Sequence, residues 1–221
     1  MAMSWGVMDM GIPPFISFRF ASVTVFAAAG GNPCLTGFGA ACYYQKNTEV
    51  ILMAETFLTL MADYCEEDQR RISQWYDALQ RAGFTGTQTP GLNHHISLAT
   101  FGLEEEEAAV ALTKAVAARF APVEAAIRHV GVMPGGKVLF AAPDMSPALT
   151  ALQAACTTRP LNGYPWLPHT TMLIDDMETI GRALPVLMQH FAPLAARIDR
   201  LHLCAFWPTR EILTVELTGR E

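Results

Sequence analysis

Two tetrapeptides in this 221-residue chain share a pattern that can carry chemistry: His95-Ile96-Ser97-Leu98 and His169-Thr170-Thr171-Met172. Each reads histidine, any residue, a hydroxyl residue, a hydrophobic residue. Side chains alternate along an extended strand. His95 and Ser97 are therefore expected on one face, with Ile96 and Leu98 on the other. The same alternation sets His169 and Thr171 against Thr170 and Met172. Imidazole titrates near neutral pH, so a pair of rings can hold one protonated and one free member at once. One ring can then take a proton from an attacking water or hydroxyl while the other protonates a departing oxygen. Two hydroxyls beside them would hydrogen-bond the non-bridging oxygens of a phosphoryl group. This set requires no metal and no cofactor.

The elements that must position these residues follow from local pattern. Residues 56–63 (TFLTLMAD) are short, apolar and rich in strand formers. Residues 66–82 carry Ile72, Trp75, Tyr76 and Leu79 at helical spacing and stop before Gly83. The histidine segment 94–101 is the next strand. A helix is expected over 103–120, with Glu104 to Glu107 at its start, where the helix dipole favours negative charge. Further helices are expected over 146–158 and 177–190. An internal repeat then emerges. Phe120-Ala121-Pro122 recurs as Phe191-Ala192-Pro193, 71 residues on, and His95 recurs as His169, 74 residues on. Each half runs histidine strand, helix, strand, hairpin, strand. The expectation is an α+β fold: bilobal, two pseudo-symmetric βαββ lobes of mainly antiparallel sheet with outer helices and a central cleft.

Composition narrows the function classes. The chain is 51% hydrophobic and 16% charged, with a formal net charge of −6. Long duplex nucleic acids, which need many phosphate-neutralising cations, are disfavoured as partners; a short RNA end or a nucleotide fits a local pocket. Cysteines stand at 34, 42, 65, 156 and 204, an odd count without a Cys-x-x-Cys spacing. That argues against a disulfide framework or zinc ribbon and for a cytoplasmic protein with reduced thiols. Residues 1–50 form an atypical N-terminal extension, read as poorly ordered or as a mis-assigned start with Met53 as an alternative beginning. Its apolar run is too short for a confident membrane span. Residues 51–221 are expected to be one bilobal domain, and the protein a monomer without membrane attachment.

On HISL and HTTM, the Pro168-His169-Thr170-Thr171 context and the VLFAAP segment, the chain resembles the 2H phosphoesterases, also called the 2′-5′ RNA ligase or LigT-like family. The resemblance runs from about Thr56 to Leu217. It implies hydrolysis of a cyclic phosphodiester, such as a 2′,3′-cyclic phosphate on an RNA end or nucleotide, or reversible 2′-5′ joining. It also implies His95 as general acid, His169 as general base, and Ser97 and Thr171 as phosphate-binding residues. The pseudo-symmetry leaves the two histidine roles exchangeable. Ser97 replaces the commoner threonine of the first motif and keeps its hydroxyl. A non-catalytic RNA-end or nucleotide-binding module with the same cleft is the alternative, and a metal-dependent hydrolase a third.

The remaining conspicuous residues have plainer readings. His94 is expected to face away from His95, and His129, His190 and His202 to be structural. Trp166 is a candidate for stacking on a base, with Tyr164 and Phe101 near the motifs as packing aromatics. Lys137 and Arg159 read as solvated cations. Pro134 to Lys137 reads as a hairpin turn and not a phosphate loop. No base partner for a cysteine nucleophile is visible.

Overall fold

The computed structural model describes residues 45–46, 49–50, 56–133, 135, 137–156 and 166–219. The expectations for residues 1–44, and those involving Met53, Pro134, Gly136, Arg159 and Tyr164, lie outside the described residues. Two short strands, β1 (Gln45–Lys46) and β2 (Glu49–Val50), pair with each other. β3 (Phe57–Tyr64) is buried from Leu58 onward on both faces, which explains its continuous apolar run. α1 (Glu66–Arg81) buries Ile72, Trp75, Ala78 and Leu79. Its chain reverses through Gly83, whose φ of +89° is a backbone state that glycine adopts without Cβ strain.

The histidine strand β4 (His95–Phe101) follows, then a 3₁₀ turn (Leu103–Glu105) and α2 (Glu106–Arg119). The glutamate run opens this helix as expected. After α2 come β5 (Val123–Met133), β6 (Val138–Pro143) and α3 (Pro147–Cys156). β7 (Thr170–Ile174) begins directly after His169. α4 (Met177–His190) starts at Asp176, whose carboxylate accepts the Thr179 N–H at 2.7 Å. β8 (Leu194–Phe206) and β9 (Arg210–Glu216) complete the order. Among the described residues no helix is long and apolar enough to cross a membrane. Lys137 lies in the β5–β6 hairpin, where Met133 pairs with Val138, and not in a phosphate loop.

The fold is α+β, with every paired strand antiparallel in a sheet ordered β4-β3-β8-β5-β6-β7 and β9 added beside β8. Strand β8 joins the two halves: residues 194–198 pair with β5, and residues 200–205 pair with β9. The register of the β5–β8 ladder is its own image under the 71-residue repeat. Val123 faces Ile198, Ile127 faces Leu194, and Ala125 faces Ala196 at the centre. A pseudo-two-fold therefore passes between the two alanines.

The repeat predicts self-contained βαββ lobes with β6 the counterpart of β9; the sheet corrects this. β6 lies between β5 and β7, as β3 lies between β8 and β4. The true counterpart of β6 is thus β3, which precedes the repeat. Each histidine strand pairs with the strand just before it in the chain, β4 with β3 and β7 with β6, and β3 and β6 in turn pair with the central strands β8 and β5. The physical reason is that an open strand edge must find a pairing strand, and α1 and α3 return each histidine strand to the edge of the strand before it.

Leu58, Leu60, Ile96, Leu98, Ile127, Leu139, Met172, Leu173 and Ile198 are all fully buried in the main core. Two hydroxyls within it are paired with each other. The Tyr64 hydroxyl and the Thr170 Oγ1 lie 2.8 Å apart, linking β3 to β7. Burial pushes the Tyr64 phenol well above its usual range, so it stays neutral and hydrogen-bonding at all ordinary pH. Tyr64→Phe is expected to leave the Thr170 hydroxyl unsatisfied and to cost about 1–3 kcal/mol of stability. In urea unfolding, adding Thr170→Val should restore part of that loss; full additivity would show that the bond carries no coupling.

Candidate active site

The two histidine segments sit at opposite ends of the strand order, yet β4 and β7 approach within 8 Å between Cα atoms. Two side chains tie the β3–β4 pair to the second motif. The Tyr64–Thr170 bond is one. The other is the Trp166 indole, whose Nε1–H donates to the Ser97 carbonyl at 2.9 Å. Trp166 is half-buried against the core, so its polar edge is engaged in joining the two motifs.

Within each motif the expected alternation is present. Ile96, Leu98, Thr170 and Met172 are buried, while His95, Ser97, His169 and Thr171 remain half-exposed. A β-bulge falls at the same place in both. Met61 pairs with Ser97 and Leu60 with Ala99, leaving Leu98 as the extra residue. Phe140 pairs with Thr171 and Leu139 with Leu173, leaving Met172 as the extra residue. The hydrophobic fourth position of each tetrapeptide is thus the bulged residue, turned wholly into the core. Bulges of this kind re-aim neighbouring side chains, here the hydroxyl just before. Among the described residues neither the Ser97 nor the Thr171 hydroxyl has a hydrogen-bond partner, which leaves both able to donate to a ligand.

The rings are held alike. His95 Nδ1–H donates to the Asn93 carbonyl at 2.7 Å, and His169 Nδ1–H donates to the Leu167 carbonyl at 2.9 Å. A carbonyl can only accept, so both bonds place the proton on Nδ1 and leave Nε2 as the working nitrogen. Burial lowers the proton affinity of both rings below the ordinary histidine value, opposed in each by its carbonyl bond. The charge of His169 also acts on His95, as expected of rings sharing one region. The edge of Phe140 meets the His169 ring at 5.4 Å. Gly131 makes room for that phenyl ring, since a Cβ there would lie 2.4 Å from it.

The other histidines lie outside both motifs. His94 turns to α1, 3.0 Å from the Ser73 hydroxyl and edge-on to Tyr76, and burial lowers its pKa to about 4. His129 pairs with Asp144 at the surface. His202, expected to be only structural, is 3.4 Å from the buried Asp63 carboxylate and 3.0 Å from the Cys204 thiol. Asp63 itself lies directly across from His95 in the ladder and accepts the Asn93 amide at 2.9 Å. Neither tetrapeptide points to Asp63; the available signal is a carboxylate inside an otherwise apolar strand, a residue seldom buried without a partner. The thiol of Cys204 does have an imidazole beside it, but it is fully buried. Among the described residues no cluster of three or more histidine, cysteine or acidic side chains is arranged to hold a metal ion.

The 2′-5′ RNA ligase superfamily profile matches residues 68–206, a span that includes both tetrapeptides. The chain belongs to the 2′-5′ RNA ligase superfamily. Its fold is LigT-like. The structure of E. coli LigT complexed with 3′-AMP matches with a TM-score of 0.53 at 20% identity, covering 75% of this chain and 100% of that one. A structure described as a phosphoesterase matches with a TM-score of 0.51 at 20% identity, covering 74% and 99%. TT0787 of Thermus thermophilus matches with a TM-score of 0.51 at 17% identity, covering 75% and 100%. No curated protein matches the chain.

The two flanking histidines set opposite limbs of a stability–pH curve. Hydrogen bonding to Asp63 raises His202 to about 10. Its stabilising contribution is complete below an unfolded value of about 6.5 and is lost as pH climbs through the folded value. His94 is held neutral, so stability falls as pH drops from about 6.5 toward its folded value of about 4. Urea midpoints across this range should show both limbs. His202→Asn should flatten only the alkaline limb, while lowering stability overall by stranding the Asp63 charge, and His94→Gln only the acid limb. A limb unchanged by its variant refutes that assignment.

Proposed function

We propose that this protein is a metal-independent phosphoesterase that opens a cyclic phosphodiester, namely a 2′,3′-cyclic phosphate on an RNA end or nucleotide. The observation that carries the reading is the matched pair of Nδ1–H to carbonyl bonds, which aim two equivalent Nε2 atoms from neighbouring strand edges. In this reading β4 and β7 line the central cleft of a bilobal domain. His169 Nε2 takes a proton from water as its oxygen attacks phosphorus. His95 Nε2–H gives its proton to the ribose oxygen as the P–O bond breaks. The product is a phosphomonoester, and the next substrate requires one proton to pass from His169 back to His95 through solvent. Ser97 and Thr171 hydroxyls donate to the non-bridging oxygens and hold the phosphorus in line.

Family membership supports the chemistry class, and the E. coli LigT structures complexed with 3′-AMP and with phosphate support a nucleotide-sized ligand in this fold. With the 5′-hydroxyl of a second RNA end attacking in place of water, and the ribose 3′-oxygen departing, the same steps give 2′-5′ joining. The reverse reaction reopens that linkage, with the duties of the two histidines exchanged. The net negative charge agrees with recognition of a short end and not of an extended duplex.

Hydrolysis of 2′,3′-cyclic AMP in chelator-treated buffer tests this. His95→Ala and His169→Ala should each lower kcat by roughly 10²- to 10⁴-fold with the fold retained. Burial depresses both rings, so the bell-shaped kcat/KM profile should centre on the acid side of about pH 6.5. Binding without product, or near-normal turnover by His169→Ala, overturns the assignment.

A further inference from the structure

The pseudo-two-fold that makes the histidine segments equivalent fails at one position. Asp63 faces His95 across the β3–β4 ladder. On the other side Ala141 faces Thr170, so Ala142 takes the corresponding place beside His169. A carboxylate and a methyl group thus occupy equivalent sites. The supports of the two rings differ accordingly. Behind His169 stands the Phe140 ring, an apolar edge. Behind His95 stands a polar chain: His202 meets Asp63 Oδ2, the same oxygen accepts the Asn93 side-chain amide, and the Asn93 carbonyl accepts His95 Nδ1–H.

Asp63 is fully buried, and its Oδ1 has no hydrogen-bond partner among the described residues. A buried carboxylate with one unsatisfied oxygen is costly and persists only where charge partners offset it. One partner is His202. Asp63 lies on the face of β3 that His95 shares, where cross-strand neighbours are about 5 Å apart at Cβ, and its charge favours a proton on His95.

We propose that Asp63 is a positioning residue that makes the two equivalent histidines unequal, holding His95 through Asn93 as the ring that keeps its proton. This rests on the phosphoesterase reading given above. The groups facing His95 are Asp63 from β3, His202 from β8, His169 at the start of β7, and His94 beside it in the chain. Asp63 favours a proton on His95 while the charges of His202 and His169 oppose it; the charge between the two rings acts on both alike, and no carboxylate takes the place of Asp63 beside His169. His95 is then the acid and His169 the base, which removes the ambiguity left by the matched motifs.

NMR titration of the imidazole resonances in the full chain tests this independently of turnover, with His95→Ala and His169→Ala providing assignments. Asp63→Asn keeps the side-chain shape and removes the charge. It should lower the His95 midpoint and leave that of His169 in place. In hydrolysis of 2′,3′-cyclic AMP the alkaline limb of the kcat/KM profile should move to lower pH. The value of kcat should fall roughly 10- to 100-fold with KM little changed, as when a reacting group loses its alignment. An unmoved His95 midpoint, or equal movement of both histidines, overturns the proposal. Asn93 is exposed, so Asn93→Ala provides a second variant if Asp63→Asn unfolds. It should lower kcat without raising KM, and unaltered kcat counts against the proposal. A wild-type protein inert toward the cyclic nucleotide sinks the phosphoesterase reading alone, because the titration reads Asp63's effect without substrate.

Discussion

Ala125 and Ala196 face each other at the centre of the β5–β8 ladder, both fully buried and both among the smallest side chains available. The position of every other strand follows from this crossing. Because its register maps onto itself under the repeat, each half presents the same ladder to the other. Each half's next strand, β3 or β6, therefore lands in an equivalent place. The histidine strands, added outside those, become the two edges of the order and still approach one another. Shifting the ladder by one residue would turn every inward side chain outward, so burial on both sides fixes the register, and with it the site.

The tetrapeptide pattern acquires a mechanical meaning from the paired bulges. Histidine at the first position finds a backbone carbonyl two residues earlier, which selects the tautomer. The second position faces the core, as Ile96 in one motif and as Thr170, satisfied by Tyr64, in the other. The third provides a hydroxyl that has no partner among the described residues. The fourth is the extra residue of a bulge and must be hydrophobic because it is driven into the interior. A polar residue there would be buried without a partner, at a cost of the order of a hydrogen bond. The motif is thus as much a folding instruction as a set of reactive groups.

Local periodicity disclosed much of this. The alternation of β4 and β7, the helix over 177–190 and the Gly83 reversal all depend on neighbours within a few residues, and those signals are written in the sequence. The repeat disclosed the two-fold but paired β6 with the wrong counterpart. Strand pairing is non-local, and β3 lies upstream of the repeated segment. Trp166 is legible as a stacking candidate, but the bond from its N–H to the Ser97 carbonyl is not, a contact 69 residues away in sequence that no local pattern encodes. Asp63 and His202 escaped for the same reason. Each has an ordinary place in its own strand, and their relation exists only because β3 and β8 are neighbours.

A two-fold scaffold holds a difficulty for acid–base chemistry. Two identical imidazoles in identical surroundings share one proton equally, and half of the molecules would then hold it on the wrong ring for a substrate bound in one direction. A reaction that runs one way requires the symmetry to be broken next to the rings, without disturbing the ladder that placed them. Substituting one cross-strand neighbour meets that condition at little structural expense. Asp63 and Ala142 occupy corresponding positions in β3 and β6, and the backbone pairing on either side of them is the same. The carboxylate needs a counterion within the fold, and β8 supplies His202 there; in β5 the equivalent position is Gly131, and His129, which faces Ala142, pairs instead with Asp144. Symmetry sets where the histidines stand, and a single departure from it can determine which of them holds the proton.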